Sequence, residues 1–330
     1  MLARRTVVAV ALIAILCVPF AVFAVISGEF GASSWALMAG IAVLVNFVYG
    51  GRSIAYLSGG LLTALIPIAI VAGEDPVTGG ALMALVCFGV GVSAAWGLNR
   101  GLLLIALYLV YMIIAAPLFS GDTAVDRAST SYLLWNMLFG GGGALWAALV
   151  FPPLLRKTKM PPRPKPWARM DTVVYTITIT VLCTASTLAV LIWWPGSDGA
   201  WLVVTVLAVT QLGGDATLKR AWARVAGTVV GVVIAAVLAS VSDSETMLFG
   251  IGLILAVVLV VIALSPHSYF LWTVVVTPQV VLFASASVAD VDMTDAQRLV
   301  FTLVGIALTL LASGVALGWA HYKQANGQSA

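Results

Sequence analysis

The sequence predicts an all-α polytopic membrane protein, with about twelve transmembrane helices arranged as two parallel six-helix repeats. The first observation behind this prediction is composition. Of the 330 residues, 62% are hydrophobic and only 9% are charged, and the mean hydropathy is +1.10. A soluble domain of this length would need far more charged residues to cover its surface. The other two observations are the lengths of the apolar segments and the sorting of charges between the loops.

Twelve apolar segments approach the length of about 20 residues that a helix needs to cross roughly 30 Å of hydrocarbon. They are residues 6–27, 34–50, 53–72, 78–96, 101–118, 131–151, 172–194, 200–213, 221–241, 246–264, 269–288 and 298–320. The second and eighth are short, so we expect them to tilt little or to end inside the bilayer. The first follows Arg4 and Arg5 as a secretion signal would, but its apolar run is longer than a signal core and favours a membrane helix.

Charges sort cleanly between the two sides of this twelve-helix arrangement. With the N-terminus in the cytoplasm, 14 of the 16 Lys and Arg residues lie at inner ends or loops, and 11 of the 13 acids lie outside. The two outer cations are Arg127 and Arg298. Such a bias follows the positive-inside rule, so both termini are predicted to be cytoplasmic. An incorrect number of helices would scramble it.

A basic, proline-rich segment divides the chain almost in half. Its prolines oppose helix formation and its cations favour the cytoplasmic surface, so a solvated linker is preferred over a phospholipid-regulated switch. The predicted units are a first membrane repeat over residues 1–155, the linker over 156–170, a second repeat over 171–322 and a cytoplasmic tail over 323–330.

Matching positions indicate that the two halves are repeats. The matched pairs are Cys17 with Cys183, Trp35 with Trp201, Arg52 with Arg220 and Arg127 with Arg298. The first two pairs share a spacing of 166 residues. Because each half has six predicted helices, both begin on the same side, which makes a parallel repeat about an axis along the membrane normal. Substrate paths in such proteins usually run between the halves.

The most charged hairpin lies in the second half, where Gly213 and Gly214 allow a tight turn. Lys219, Arg220 and Arg224 follow on the next predicted helix, and Asp215 is a nearby acid that could pair with Arg220 or Lys219. Arg224 lies one turn beyond Arg220, about 6 Å deeper in the membrane. One interpretation is a basic vestibule that attracts organic anions; the other is ordinary positive-inside anchoring.

Glycine, proline and amide residues mark further candidate positions in the spans. Gly227 and Gly231 form a small-residue face that favours close helix packing. Four consecutive glycines, Gly140, Gly141, Gly142 and Gly143, predict a hinge or a broken helix beside a cavity. The polar candidates for the path are Asn46, Gln211, Thr277 and Gln279, with Pro278 freeing a carbonyl next to the last two. Each polar residue could instead bond to a neighbouring helix.

The chain lacks the motifs of several functional classes. No Asp or Glu lies deep in a span, so a buried carboxylate relay is not visible. There is no phosphate-binding loop, zinc-protease motif or nucleophile–base set. We therefore expect no enzyme activity, cofactor, metal or nucleic-acid partner.

Three stretches of the second half form an ordered motif. They are Trp201…Gly213-Gly214-Asp215-Ala216-Thr217-Leu218-Lys219-Arg220…Arg224…Gly227-Thr228…Gly231, then Pro266-His267-Ser268-Tyr269…Thr277-Pro278, and then Arg298…Gly305. In this combination they resemble the FUSC family, the fusaric acid resistance and aromatic acid exporter group. The resemblance covers about residues 196–320. In the first half Arg52 is retained, but the Lys-Arg pair, the second Arg and the Gly-Thr pair are not.

The resemblance implies a bacterial inner-membrane efflux protein for aromatic carboxylates or similar organic anions, driven by the proton gradient. Arg220 and Arg224 would attract the carboxylate, with Arg52 as their counterpart in the first half. A passive anion channel and a non-transporting scaffold for envelope assembly remain alternatives. The expected partners are a small organic anion and the lipid bilayer, and self-association is left open.

Overall fold

The computed structural model describes residues 2–27, 30–116, 127–156, 164–211, 214–240, 245–263, 269–285, 297–312 and 314. Within these ranges almost every residue is helical, and they contain no strand. Several predicted features lie outside the described residues: Gly213 of the hairpin turn, residues 157–163 of the linker, and the tail. For Asp215 the structure describes the backbone but not the side chain, so the pairing of Asp215 with Arg220 or Lys219 stays a prediction.

The described residues of the first half form six helical units. They are α1 (Leu2–Ser27), α2 (Phe30–Gly50), α3 (Arg52–Ala72), α4 (Pro76–Ser93), α5 (Asn99–Ile114), and a sixth unit made of α6 (Thr130–Asn136), a π-helical turn (Met137–Gly141) and α7 (Gly142–Leu154). Local chemistry sets some of these boundaries. Asp75 accepts a hydrogen bond from the Thr78 backbone N–H at 2.9 Å, which caps α4. Gly51 begins α3 with a φ of 83°, a conformation that glycine adopts without strain.

The second half continues the same succession of helices. They are α8 (Arg169–Trp193), α9 (Ala200–Val209), α10 (Gly214–Ala239), α11 (Glu245–Ala263), α12 (Tyr269–Ser285) and α13 (Gln297–Ala312). The 10 residues of α9 extend about 15 Å, roughly half of the hydrocarbon thickness. This agrees with the short eighth segment expected from the sequence. By contrast, α2 has 21 residues because it starts before the predicted segment.

Six helices of the described part are long and apolar enough to cross a membrane. They are Ser33–Gly50, Arg52–Ala72, Pro76–Trp96, Thr130–Leu154, Arg169–Trp193 and Thr217–Leu238. The other apolar helices of that part contribute stretches of 10 to 17 residues whose side chains are described, such as Val10–Phe23 of α1 and Met247–Ile262 of α11. The chain is therefore an all-helical, multi-pass membrane protein. The count of twelve spans stays a prediction.

The two halves meet through reciprocal pairs of helices. α4 packs along α8, and α1 packs against α11; likewise α5 contacts α9, and α2 contacts α12. If the helical units of each half are numbered one to six, the first unit of each half packs against the fourth unit of the other half. The second unit of each half likewise contacts the fifth unit of the other half. A parallel repeat about a two-fold axis predicts this pattern, and the repeat itself remains a prediction.

The end of the linker is attached to the first half. The backbone N–H of Trp167 donates to the carbonyl of Ala94 at 3.1 Å, and the Trp167 ring packs edge-on against Tyr175 of α8. Gly97, with a φ of 69°, lies so close to Pro164 that a Cβ would clash with the Pro164 carbonyl. The linker is thus anchored where α4 ends and α8 begins.

The α4–α8 contact gives a direct test of how the halves are joined. The free thiols of Cys87 and Cys183 are buried and lie next to each other across it. In a variant with a protease site inserted into the linker, we expect copper–phenanthroline oxidation to keep the cleaved halves covalently linked on a non-reducing gel. Cys87→Ser, which leaves Cys17 and Cys183, should abolish the link. Separation of the oxidised fragments would contradict this packing.

The tetraglycine segment gives a test of close packing. A Cβ on Gly143 would clash with the backbone of Ala36, whereas a Cβ on Gly89 would meet nothing within 4 Å. We expect Gly143→Ala to lower the free energy of unfolding by about 1–3 kcal/mol, because the backbone of α2 must move. Gly89→Ala should be neutral or slightly stabilising, since alanine favours helix. Thermal unfolding in detergent measures both; equal stability of the two variants would contradict the contact.

Candidate anion-binding site

The centre of the candidate site is Arg224, a cation buried inside the helix bundle. Its residue is 1% exposed, and it lies on α10 one turn beyond Arg220. Its Nε and Nη2 atoms have no hydrogen-bond partner among the described residues. These two nitrogens form the side-on edge of the guanidinium, whose parallel N–H groups match the two oxygens of a carboxylate.

An aromatic ring lies beside this cation. The guanidinium carbon of Arg224 is 5.5 Å from the centre of the Trp201 ring, at the start of α9. This is within the range of a cation–π interaction. The contact offsets part of the cost of burying the charge, but it occupies none of the N–H donors.

A second arginine reaches the same ring. The guanidinium carbon of Arg298, on α13, is 5.8 Å from the Trp201 ring centre. Arg298 is paired: its Nε donates to the Oδ2 of Asp198 at 2.6 Å. Asp198 precedes α9, and its backbone carbonyl accepts a hydrogen bond from the Trp201 N–H at 3.0 Å. We call the four residues Trp201, Arg224, Arg298 and Asp198 the Trp201 site.

Aromatic residues of the first half complete one side of the Trp201 site. Tyr111 of α5 packs edge-on against Trp201, with ring centres 6.3 Å apart, and Trp35 of α2 packs against Tyr111 at 5.6 Å. Tyr111 also lies within electrostatic reach of Arg298, Asp198 and Arg224. Trp35 and Trp201 are the matched tryptophans of the two halves, so the site lies where the halves meet.

Three buried threonines continue the polar surface along the same helices. Thr205, Thr228 and Thr302 each follow a site residue by four positions, on α9, α10 and α13 respectively, and therefore share its helix face. None of their hydroxyl groups has a hydrogen-bond partner in the described part of the chain. Unpaired hydroxyls and an unpaired guanidinium in an apolar bundle are costly, unless water or a polar ligand satisfies them.

The other predicted basic residues have different environments. Arg220 is half-buried; its Nη1 donates to the Ala208 carbonyl at 3.2 Å, and its guanidinium lies 4.8 Å from the Tyr269 ring centre. Arg220 also interacts electrostatically with Arg100, so cations from both halves gather near this end of α10. Lys219 and Arg52 are exposed. The buried site therefore includes Arg224 but not these two, and their part in a vestibule stays a prediction.

The predicted repeat is unequal at the position of Arg224. The matching residue of the first half is Tyr56, which is 48% exposed on α3. Arg127, the match of Arg298, donates to the carbonyls of Ile113 and Ile114 at 3.2 and 3.3 Å. The first half thus contributes aromatic rings to the site, whereas the second half contributes the charges.

Two of the three predicted amides have hydrogen-bond partners within the bundle. Asn46 is buried and its Nδ2 donates to the carbonyls of Ala42 and Gly101, at 2.8 and 3.0 Å, which joins α2 to α5. Gln211 follows α9; its backbone N–H donates to the Thr217 hydroxyl at 3.3 Å, and that hydroxyl donates to the Gln211 carbonyl at 3.1 Å. The interhelical bond of Asn46 matches the packing alternative. A role for either amide in the path stays a prediction.

The predicted glycine face of α10 lies against α12. A Cβ on Gly227 would be 2.7 Å from the Cβ of Thr273, and one on Gly231 would be 2.6 Å from the Cβ of Thr277. Thr277 donates to the Thr273 carbonyl at 2.9 Å, and Pro278 and Gln279 are buried beside it. This surface begins within one turn of Arg224, so it fixes the position of the cation in the bundle.

The tetraglycine is continuous with the helices on both sides. Gly140 and Gly141 belong to the π-helical turn, and Gly142 and Gly143 begin α7. A Cβ on Gly140 would clash with the Tyr108 hydroxyl, and the carbonyl of Gly141 accepts a hydrogen bond from Thr63 at 3.1 Å. The glycines thus allow α3 and α5 to pack closely against the π-helical turn. A π turn is a common feature near functional sites, and the hinge stays a prediction.

The sequence missed Arg298, Asp198 and Tyr111 as parts of a site. Arg298 and Asp198 read as ordinary outer-side charges, and Tyr111 as one aromatic residue within an apolar span. One signal was available: Trp201 and Arg298 both belong to the stretches that carry the family resemblance. Among the described residues, no group of three or more His, Cys, Asp and Glu side chains could hold a metal ion.

Residues 175–312 match the model of a family described as fusaric acid resistance protein-like. The matched range begins within α8, ends with α13 and contains all four residues of the Trp201 site. No curated protein and no solved structure matches the chain.

The unpaired cation predicts an unusual effect on stability. We expect Arg224→Met to raise the free energy of unfolding by about 1–4 kcal/mol in the absence of ligand, because it removes an uncompensated buried charge at similar volume. Arg298→Met should instead lower it, since Asp198 would lose its partner. Thermal unfolding of both variants in detergent measures these effects. A strong loss of stability in Arg224→Met would show that the guanidinium is already satisfied in the folded protein.

Proposed function

We propose that this chain, whose residues 175–312 belong to the fusaric acid resistance protein-like (FUSC) family, exports aromatic carboxylates or similar small organic anions across the bacterial inner membrane. The family and the apolar helices support a multi-pass membrane protein with a role in transport. The substrate class, the direction, the cytoplasmic location of both termini and the use of the proton gradient belong to the proposal. The observation that carries it is the buried, unpaired edge of Arg224 beside Trp201.

The geometry of this edge favours a carboxylate. Nε and Nη2 of Arg224 present two parallel donors, and a carboxylate accepts both. In a low-dielectric bundle such a charge-assisted pair is stronger than in water. The hydroxyls of Thr205, Thr228 and Thr302 offer further donors along the same helix faces. The polar part of the substrate is therefore proposed to be a single carboxylate.

The surrounding rings favour an aromatic body for the substrate. Trp201 and Tyr111 pack edge-on, and flat rings bind well against such surfaces. The same contact crosses from α9 in the second half to α5 in the first half. A relative movement of the halves would change it, as alternating access between repeats requires. The location of the site thus suits transport better than permanent binding.

The distribution of charge supports entry from the cytoplasmic side. Arg100 and Arg220 lie close together, and Lys219 and Arg52 are exposed at helix positions near the predicted inner surface. Such a cluster raises the local concentration of anions at the mouth of a path. Arg220 and Lys219 would then attract the substrate, and Arg224 would bind it.

Transport by purified protein in liposomes tests the proposal. We expect saturable movement of radiolabelled benzoate, competition by other aromatic carboxylates, no competition by neutral benzamide, and faster movement with a pH gradient. Steady flux without any gradient dependence would instead indicate a passive anion channel. Absence of flux for every aromatic acid, together with a stably copurifying protein, would favour a scaffold and overturn the proposal.

Substitutions at Arg224 separate its role from that of the surface cations. Arg224→Glu should abolish benzoate transport while leaving membrane insertion intact, and Arg224→Lys should raise KM about tenfold because an ammonium cannot form the paired contact. Arg169→Gln, which removes an exposed cation at the start of α8, serves as the control and should keep most of the activity. Wild-type export by Arg224→Glu would remove Arg224 from the path.

A further inference from the structure

The two arginines at the Trp201 ring differ in their partners. Arg224 has two unpaired donors, whereas Arg298 is held by a carboxylate of the chain itself, at 2.6 Å. Their guanidinium carbons are 5.5 and 5.8 Å from the same ring centre. An anion bound to Arg224 would therefore lie next to an arginine that already carries the same chemical group.

The described charges of the Trp201 site match one monovalent anion. Arg224, Arg298 and Asp198 together carry one net positive charge. Two cations so close in an apolar bundle repel each other, and Asp198 neutralises one of them. An incoming carboxylate would neutralise the other. Removal of the Asp198 charge would leave two cations and a stronger attraction for anions.

Asp198 is placed so that it can leave Arg298. Its side chain is 23% exposed, compared with 5% for Arg298, so the acid is on the wetter side of the pair. It belongs to the turn between α8 and α9, where Gly196 has a φ of 74° and Gly199 follows directly. Its backbone N–H donates a 3.3 Å hydrogen bond to Gln297, the neighbour of Arg298. Separation of the pair would thus move the turn relative to α13.

We propose that Arg298 is a second carboxylate-binding position of the transport path, and that Asp198 is its exchangeable counter-ion. This inference rests on the proposed function. The substrate carboxylate binds first to Arg224, beside Trp201. It then takes the place of Asp198 on Arg298 as the acid moves towards water, and it is released when Asp198 returns. Before and after each cycle, therefore, Arg298 is paired with Asp198 and Arg224 carries the unpaired positive charge.

Kinetics of benzoate transport in proteoliposomes test this exchange with three variants. Asp198→Asn leaves Arg298 without a competing carboxylate, so we expect KM to fall about tenfold, as for one gained charge-assisted hydrogen bond, and the maximal rate to fall as release slows. The double variant Asp198→Asn/Arg298→Gln removes both charges. It should recover the wild-type KM but transport at least about tenfold more slowly, because the second position is lost. Asp171→Asn, an exposed acid of α8, should behave as wild type.

The double variant decides the outcome even if Asp198→Asn does not fold, since it leaves neither partner buried and unpaired. A double variant that transports benzoate at the wild-type rate would show that the pair only stabilises the fold, and would overturn the inference. An unchanged KM in a folded Asp198→Asn variant, checked by thermal unfolding, would overturn it as well. Failure of the wild-type protein to transport benzoate or any other aromatic acid would instead overturn the proposed function.

Discussion

A buried guanidinium with unpaired donors is the constraint on which the rest of this structure depends. A cation inside a membrane helix is costly unless it reaches the surface, pairs with an acid or meets water. Here α10 holds Arg224 in place, because Gly227 and Gly231 let α12 approach the same helix closely. Trp201 lies beside the charge, and threonine hydroxyls line the neighbouring helix faces. The bundle therefore preserves a polar site that apolar packing alone would remove.

The two halves of the bundle have a similar arrangement of helices but different charged residues. Their contacts are reciprocal, with α4 on α8 and α1 on α11, yet the charges of the site come from one half only. Tyr56 faces outward where the second half has Arg224, and Arg127 bonds to helix-end carbonyls where the second half has an ion pair. The unequal halves therefore place the charges of the Trp201 site on one side of their contact and its aromatic rings on both sides.

Buried polar groups of the described residues fall into two kinds. Asn46, Asn136 and Thr277 donate to carbonyl groups, and these bonds hold helices or helix turns together. Thr205, Thr228 and Thr302 have hydroxyls without such partners, and they share helix faces with the residues of the Trp201 site. The satisfied groups stabilise the bundle, whereas these three hydroxyls are free to bond to water or a ligand at the Trp201 site. Unpaired hydroxyls also lie on α8, such as those of Thr184 and Thr187, so a missing partner is not by itself a sign of the site.

The sequence alone determined the properties that depend on local composition, spacing and motifs along the chain. Hydropathy identified the membrane class, the spacing of Trp35 and Trp201 predicted two related halves, and the motif around Arg224 predicted the resemblance that the family model matches over residues 175–312. Only the tertiary structure decided that Arg298 and Asp198 meet at Trp201 together with Arg224. Hydrophobicity and charge sorting report the side of the membrane, but not the rotation of each helix about its axis. That rotation follows from packing between helices, and it turned Arg298, read as an outer-side cation, into a buried partner of the site.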